Sequence, residues 1–240
     1  MMSVVGEMLS LLDRELYDES LAARVLGVPK STLHWWLEGG SRRGRSYDPV
    51  LRPVPTGSKV VTWGESVEAR YLREYRRTLR VPLAELRNFI AYLRTELGVA
   101  YPLATAQPWV GPGRHLLLKA SEEAHLPDEY WPVVMSPHSG QPLLLPSADR
   151  FLTRVEFETP SEGAVIRMFP AGKESPVVID PEVRYGTPTV AGIPTESIAE
   201  QVAAGDSIES VARDSDLPID SVIAALSFER TTAETEDRAA

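Results

Sequence analysis

Apolar positions near the N-terminus repeat at the spacing of two short helices. The first helix carries four apolar residues on one face, namely Leu21, Ala22, Val25 and Leu26. Gly27 then ends this helix, and Pro29 lies near the first position of the next one. The second helix has its apolar stripe at Leu33, Trp36 and Leu37. Five residues lie wholly or partly outside this stripe and can face a partner: Lys30, Ser31, Thr32, His34 and Trp35.

Two short helices joined by a glycine-containing turn are typical of the helix-turn-helix, whose second helix enters the major groove of DNA. An ordinary helical hairpin has the same pattern, so the helices alone leave both interpretations open. The next segment favours DNA, because it is a basic loop that combines three arginines with an aromatic residue: Arg42, Arg43, Arg45 and Tyr47. Such arginines suit phosphate contact or insertion into the minor groove.

The rest of the first hundred residues predicts one strand and further helices. Apolar spacing over residues 2–16 predicts a leading helix, and the prolines and glycine of residues 48–58 predict an extended loop or wing. A short strand over residues 59–63 and helices over 65–78 and 82–98 follow. Arginines in this part alternate with acids, so we expect a solvated helical face, with phosphate contact as the alternative, from Arg70, Arg73, Arg76, Arg77 and Arg80.

Residues 101–188 differ in having frequent prolines and short apolar runs, which are strand signals. The runs lie at residues 115–119, 131–135, 142–146, 151–158, 164–169 and 177–180. They predict a small antiparallel sheet. Its exposed edges would favour pairing with another chain.

The C-terminal part is predicted to be helical over residues 195–204, 207–214 and 220–228. Residues 208–226 repeat the helix-turn-helix pattern, but the exposed positions carry carboxylates: Glu209, Asp214, Asp216 and Asp220. Since carboxylates repel phosphates, we expect a packing or protein-docking module here. The polar residues 231–240 predict a mobile tail.

These elements predict an α+β protein of four parts. They are an N-terminal helix-turn-helix domain (1–103), a β-rich middle region (104–185), a helical C-terminal domain (186–230) and the tail (231–240). Residues 1–103 carry 15 Lys+Arg against 12 Asp+Glu, whereas the remaining residues carry 10 against 22. The basic half can approach nucleic acid, and the acidic half is better suited to a protein partner.

The chain has no cysteine, which excludes disulfides, thiolate metal sites and cysteine nucleophiles. Its four histidines lack the spacing of metal ligands, and the sequence contains neither a phosphate-binding loop nor a hydrolase motif. We therefore expect no metal, no cofactor and no catalytic activity. No apolar run reaches the length of a membrane span and the N-terminus is acidic, so we expect a cytoplasmic protein.

Residues 17–37, with TWGESVEARYLREYRR and VPLAELRNFIAYLR further on, resemble the MerR-like winged helix-turn-helix. In that family a wing and two more helices follow the recognition helix. The sequence departs from the family pattern in its recognition helix, where His34, Trp35 and Trp36 replace an arginine followed by two aromatic residues. It also has a longer loop before Lys59 and lacks a long dimerising coiled coil and a cysteine effector site.

Residues 177–229 are similar to a domain of unknown function that is widespread in antitoxin-like bacterial proteins. The similarity includes the IDP sequence at residues 179–181, the GTPTVAG sequence at 186–192 and the helix that follows Leu217 and Pro218. The two parts together resemble a VapB-type antitoxin of a VapBC toxin-antitoxin pair. This resemblance implies neutralisation of a PIN-domain ribonuclease toxin and repression of the shared operon. We expect such an antitoxin to bind operator DNA as a homodimer.

An antitoxin of this type typically passes a C-terminal segment over the toxin, often with an arginine that enters the acidic metal site. The resemblance therefore implies toxin contacts by Phe228, Arg230 and Arg238. Two other hypotheses remain open. One is a stand-alone MerR-like transcriptional regulator whose central sheet binds a small ligand, and the other is an interaction module whose DNA motif no longer functions.

Overall fold

The computed structural model describes residues 11–137, 139–159 and 163–237. Most of the leading helix predicted over residues 2–16 lies outside the described residues. Its last part corrects the prediction, because Glu15–Asp18 forms strand β1, which pairs antiparallel with strand β4 (Val60–Thr62). The strand is stable here because Tyr17 is buried while the backbone completes a ladder with β4.

Helices α1 (Glu19–Leu26) and α2 (Lys30–Glu38) form the predicted helical pair. Asp18 caps α1, since its carboxylate accepts hydrogen bonds from two backbone N–H groups of the first turn at 2.7 and 2.9 Å. Gly27 ends α1 in the left-handed conformation, with φ at 62°, where a residue without Cβ is favoured. The turn to α2 is therefore short.

The basic loop after α2 is a β-hairpin. Strand β2 (Gly40–Arg42) pairs antiparallel with strand β3 (Arg45–Tyr47). The two turn residues, Arg43 and Gly44, both have positive φ, at 53° and 75°. This geometry matches the twist of the strands in a tight hairpin.

Two helices and a turn follow β4. Helix α3 (Trp63–Glu74) begins with a reciprocal cap, in which the Thr62 hydroxyl accepts from the Glu65 N–H and the Glu65 carboxylate accepts from the Thr62 N–H. A π-helical turn (Tyr75–Leu79) continues it, and helix α4 (Leu83–Leu97) runs to Gly98 as predicted.

The arginines of α3 do not form the predicted solvated face. Arg70 is only 9% exposed and donates from Nη2 to the Pro170 carbonyl at 2.7 Å. Arg73 donates from Nε to the Gly27 carbonyl at 3.2 Å. The alternation with acids misled the prediction because these long side chains reach carbonyls on other segments, which their helical periodicity does not reveal.

The middle region contains helices as well as strands. Residues 115–119, predicted as a strand, lie in helix α5 (Gly113–Glu123). Its buried face is formed at helical spacing by Leu117, Ala120, Ser121 and Ala124. The other elements are β5 (Val133–Met135), β6 (Pro142–Leu144), α6 (Pro146–Leu152), β7 (Val155–Phe157) and β8 (Val165–Met168). Strands β5 and β6, and likewise β7 and β8, form separate antiparallel hairpins instead of one sheet.

The C-terminal part combines a small antiparallel sheet with three helices. The strands are β9 (Val177–Val178), β10 (Thr189–Val190) and β11 (Ile193–Pro194), with β10 in the centre. The helices are α7 (Thr195–Ala203), α8 (Ile208–Asp214) and α9 (Ile219–Asp237). Helix α9 continues through residues 231–237, which corrects the prediction of a mobile tail from residue 231. Thr232 is buried and donates to the Phe228 carbonyl at 3.0 Å, so the packing extends into this segment.

Two hydrophobic cores organise these elements. The first extends along the chain from Leu12 to Ile179 and therefore crosses the predicted boundary between residues 103 and 104. The second contains the C-terminal residues Val177, Val190, Ile198, Val211, Ala212, Val222 and Ala225. The chain is thus of mixed α and β structure with small antiparallel sheets, in agreement with the predicted class. Within the described ranges, no helix has the length and apolar character needed to cross a membrane.

Candidate nucleic-acid interface

Helix α2 divides its side chains between the first core and the surface. Leu33, Trp36 and Leu37 are buried, as their spacing predicted. Lys30 and Ser31 are exposed in the first turn, and Thr32 and Trp35 are half-buried. Pro29, at the N-cap position, provides no side-chain cap, which leaves the start of the helix open to an external acceptor.

His34 lies on a different side of α2 from Trp35. Its Nδ1 is 2.9 Å from Oε1 of the buried Glu19, and Lys59 Nζ is 3.6 Å from the same oxygen. Glu19 thus holds His34 and Lys59 together at the start of α1. The prediction grouped His34 with Trp35, but the structure separates the two side chains.

The β2–β3 hairpin packs against α2 through aromatic residues. The rings of Trp35 and Tyr47 have their centroids 5.8 Å apart. A Cβ on Gly40 would lie 2.8 Å from the Trp35 ring, so the backbone of β2 approaches this side chain closely. The contact fixes the hairpin beside the helix.

The three arginines of the hairpin are exposed to solvent. Arg42 lies directly opposite Arg45 in the antiparallel ladder, and Arg43 occupies the turn. Like charges at facing positions of a ladder are unfavourable unless an anion offsets their repulsion. The hairpin therefore presents positive charge at a local energetic cost.

A cleft of about 640 Å³ lies between α2, the hairpin and the start of α4. It brings together five of the predicted residues: Ser31, Thr32, Trp35, Arg42 and Tyr47. Two further arginines line the cleft, namely Arg76 of the π-helical turn, which was expected on a solvated helical face, and Arg87 of α4, which no local pattern indicated. No carboxylate is among its lining residues, so the cleft presents three guanidinium groups to any ligand. Lys30, His34, Arg43 and Arg45 lie outside its lining.

Arg87 has a structural role at the cleft wall. Its Nε donates to the carbonyls of Asp48 and Pro49 at 2.9 and 3.1 Å. Burial lowers the pKa of Arg87, and the nearby Asp48 opposes that effect. Since a guanidinium remains charged at neutral pH, Arg87 can anchor the chain after the hairpin and still contribute positive charge.

The loop of residues 48–59 is held in place by a buried ion cluster. Arg52 is 5% exposed and donates from Nε and Nη2 to the Glu65 carboxylate at 2.6 and 3.2 Å. Its Nη1 contacts Glu38 at the end of α2 and the Thr56 hydroxyl. Although burial opposes it, hydrogen bonds from Gly57, Thr56 and Arg52 lower the pKa of Glu38. The cluster joins α2, the loop and α3.

The three residues predicted to contact a toxin differ from one another in their surroundings. Phe228 is half-buried and packs against the second core, so in this arrangement it is not presented as an exposed anchor. Arg230 is exposed on α9, and Arg238 lies outside the described residues. The acidic positions Glu209, Asp214, Asp216 and Asp220 are all exposed, as predicted.

The described residues contain no group of three or more His, Cys, Asp or Glu side chains that could hold a metal ion. The chemistry available at the cleft is that of cationic and hydroxyl hydrogen-bond donors around an aromatic pair. Such groups can bind phosphate oxygens and stack on planar groups.

Comparison with known proteins defines the class of the chain. Residues 177–228 match the family described as "Protein of unknown function (DUF433)", which confirms the resemblance predicted for this segment. The chain is 34% identical over 226 residues to "Uncharacterized protein Rv2308" of Mycobacterium tuberculosis, covering 91% of this chain and 92% of that protein. It is 28% identical over 215 residues to "Putative antitoxin VapB45" of the same organism, covering 84% of this chain and 88% of that protein.

The crystal structure of Rv2018 from Mycobacterium tuberculosis has the same fold. It matches with a TM-score of 0.69 and 26% sequence identity, over 90% of this chain and 99% of that chain. The chain is thus a DUF433-containing protein with a pair of short helices and a hairpin near its N-terminus. It belongs to the same family as Rv2308.

Proposed function

We propose that this protein is the antitoxin of a type II toxin-antitoxin system, which neutralises a PIN-domain ribonuclease toxin and represses its own operon. The observation that carries the proposal is the similarity to VapB45, which extends over 84% of this chain. The match therefore covers most of the chain. The DUF433 match supports the same assignment.

The DNA contacts are assigned to α2, the hairpin and the cleft between them. Lys30, Ser31 and Thr32 lie in the first turn of α2, from which a helix in the major groove contacts bases and phosphates. Arg42, Arg43 and Arg45 contact phosphates or enter the minor groove, which would relieve the repulsion between the facing arginines. A homodimer would present two such surfaces to the two halves of an operator.

His34 and Trp35 have separate roles in this proposal. Trp35 packs against Tyr47 with the two rings tilted, and this contact stabilises the position of the hairpin. His34 is held by Glu19 beside Lys59, so this group contacts the DNA backbone at the outer side of α2. The base-reading contacts are consequently concentrated at Lys30 and Ser31.

The toxin contacts are assigned to the C-terminal domain, with Arg230 and Arg238 as the candidate arginines for an acidic metal site. Arg230 is exposed on α9, and the same domain also exposes carboxylates on α8 and α9. The acidic surface would repel DNA and would contact a basic surface of the toxin around its active site. Phe228 would have to leave the second core to contact the toxin directly.

Co-expression with the product of the neighbouring gene tests the proposal. The expected result is a stable complex with a small ribonuclease whose activity is suppressed by this protein. The Arg230→Glu variant should weaken suppression, because it places a negative charge where the toxin has acidic metal ligands. Arg43→Glu, at an exposed position of the hairpin outside the C-terminal domain, is the matched control and should retain suppression. Purification of this protein free of any nuclease from the co-expressing cells would contradict the proposal.

A further inference from the structure

A second cavity, of about 450 Å³, lies where the N-terminal, middle and C-terminal parts meet. One wall is the end of α1 with Gly27, and another is α3. The opposite wall is α9, with Phe228 among its lining residues, and the middle region completes the cavity with Arg154, Pro170, Ala171 and Ser175. It is separate from the cleft beside the hairpin, because the two share no lining residue.

The charged side chains that line this cavity are all arginines: Arg70, Arg73 and Arg154. No carboxylate is among its lining residues, in a protein whose formal net charge is −9. The hydroxyl groups of Ser175 and Ser227 add further donors, whereas those of Thr231 and Thr232 donate to the carbonyls of Ser227 and Phe228. Apolar surface comes from Val25, Leu26, Ala224 and Phe228. The lining therefore combines positive charge, hydroxyl donors and an apolar wall.

The guanidinium groups retain donor capacity. Within the described part of the chain, Arg70 makes one hydrogen bond, from Nη2 to the Pro170 carbonyl at 2.7 Å. Arg154 contacts the same carbonyl from Nη1 at 3.5 Å. A guanidinium has five N–H donors, so one carbonyl shared by two arginines leaves most of their donors available.

The clustering is electrostatically unfavourable without a ligand. Burial lowers the pKa of Arg70 to about 9, and repulsion from Arg73 and Arg154 adds to this effect. Glu74 partly offsets the repulsion, but its carboxylate is also 3.7 Å from Arg150. A cationic cluster in which Arg70 is buried and Arg73 and Arg154 are half-buried is stabilised when an anion enters.

We propose that this cavity binds a small organic anion, whose phosphate or carboxylate group contacts Arg70 and Arg154 and whose apolar part packs against Val25 and Phe228. The site goes beyond the proposed antitoxin function, which requires no small ligand. Because the cavity is bounded by α1, α3 and α9, the bound anion would also hold the C-terminal domain against the helical pair. Binding should therefore raise the thermal stability of the whole chain.

Isothermal titration calorimetry of the full chain with phenyl phosphate and with benzoate tests the site, and the two probes separate a phosphate from a carboxylate ligand. Saturable binding with one site per chain is expected for at least one anion, and no binding is expected for the neutral benzyl alcohol. Arg154→Gln should weaken binding about ten-fold or more, because it removes a charge-assisted hydrogen bond. Arg213→Gln, outside the cavity, is the matched control and should bind as the wild type does.

A second variant tests the cavity without changing its charge. Ser227 is exposed at the cavity wall, so Ser227→Phe fills the space and should abolish binding while leaving the fold intact. Circular dichroism checks the folding of both variants. The proposal is overturned if the wild type binds neither anion at millimolar concentration, or if Arg154→Gln and Ser227→Phe both bind with wild-type affinity.

Discussion

The N-terminal pair α1/α2 and the C-terminal pair α8/α9 have the same local design. In the first pair Gly27 is left-handed with φ at 62°, and the Val28 N–H donates to the Ala23 carbonyl at 3.0 Å. In the second, Asp216 is left-handed with φ at 52°, and the Leu217 N–H donates to the Ala212 carbonyl at 2.8 Å. Each turn then continues into a proline, which begins the second helix.

The surfaces of the two pairs differ much more than their backbones do. The N-terminal pair is followed by a hairpin with three exposed arginines, whereas the turn and helices of the C-terminal pair expose carboxylates. The helical pattern therefore determines how each pair folds, and the charge at the exposed positions determines which partner it can approach. From the helix-turn-helix pattern alone, both pairs would have been predicted to bind DNA.

The N-terminal part, with α1, α2 and the hairpin, and the C-terminal domain also contact each other, and we refer to them as the two ends of the chain. Arg24 of α1 lies 2.9 Å from Glu196 of α7 and 3.6 Å from Glu229 of α9. Arg14 donates to the Pro181 carbonyl at 3.1 Å. Part of the acidic surface is thus complemented within the chain, and the remaining carboxylates are available to another protein.

Among the changes proposed here, Arg52→Ala should cause the largest loss of stability. The ion cluster around the buried Arg52 belongs to the N-terminal part alone, so this change tests what distinguishes that part from the C-terminal one. The change leaves the buried Glu65 and the half-buried Glu38 without their shared cation. We expect a loss of about 3–5 kcal/mol in the free energy of unfolding, measured by urea denaturation. Arg43→Ala, at an exposed position, should change it by less than about 0.5 kcal/mol. Equal losses in the two variants would contradict the role of the cluster.

The first core should also respond to pH through Glu68. Burial raises the pKa of this carboxyl to about 7, against the opposing charge of Arg94 at 3.5 Å. The folded state therefore binds the proton more tightly than the unfolded state, in which the carboxyl has its ordinary pKa near 4.5. Stability from this group is fully present below pH 4.5 and is lost as pH rises through 7, by about 3 kcal/mol.

Glu68→Gln should remove this pH dependence. The glutamine carbonyl can still accept the hydrogen bond from the Leu103 N–H, which is 3.1 Å from Glu68 Oε1. Urea denaturation between pH 5 and 7 should show a shallower decline for the variant than for the wild type. Identical slopes would mean that Glu68 is ionised in the folded protein throughout this range.

The triple change of Arg42, Arg43 and Arg45 to alanine tests the basic end directly. If all three contact phosphates, the slope of log affinity against log salt should fall by about 3, and affinity near physiological salt should fall about 100-fold. Fluorescence anisotropy with operator DNA measures both quantities. The matched change at the acidic end, Asp214, Asp216 and Asp220 to asparagine, should leave the salt slope unchanged.

Arg24→Gln should cause the smallest loss of stability, because the ion pairs that Arg24 forms between the two ends are partly exposed. The side chains of Arg24 and Glu196 are 29% and 49% exposed. Solvent screening limits the expected loss to about 0.5–1 kcal/mol, measurable as a small fall in Tm. A loss as large as that of Arg52→Ala would show that the two ends depend on each other for stability.

Local patterns were sufficient to predict α1, α2, α4 and the C-terminal helices, because each has a clear apolar face and an identifiable end. Strand β1 was missed because its apolar residues continue the helical spacing of the preceding segment, and only pairing with β4 stabilises the strand. Helix α5 was missed because the run Leu116, Leu117 and Leu118 has no periodicity by itself. In both cases the deciding contacts are distant in the sequence.

The candidate DNA surface was predicted only in part. The helix and hairpin residues are close in the sequence, so composition and spacing were enough to select them. Arg76 and Arg87 reach the same cleft from later elements, and Arg70 and Arg154 meet in the second cavity from segments far apart in the chain. No local signal distinguishes such arginines from solvated ones.

The central claim is that the N-terminal part binds DNA and the C-terminal domain binds the toxin. DNA binding and toxin inhibition, measured in one variant with the three hairpin arginines replaced by alanine, test this claim most directly. We expect the variant to lose affinity for operator DNA about 100-fold, and to inhibit the ribonuclease from the neighbouring gene as well as the wild type does. Loss of toxin inhibition in a correctly folded variant, or retention of wild-type DNA affinity, would contradict the claim.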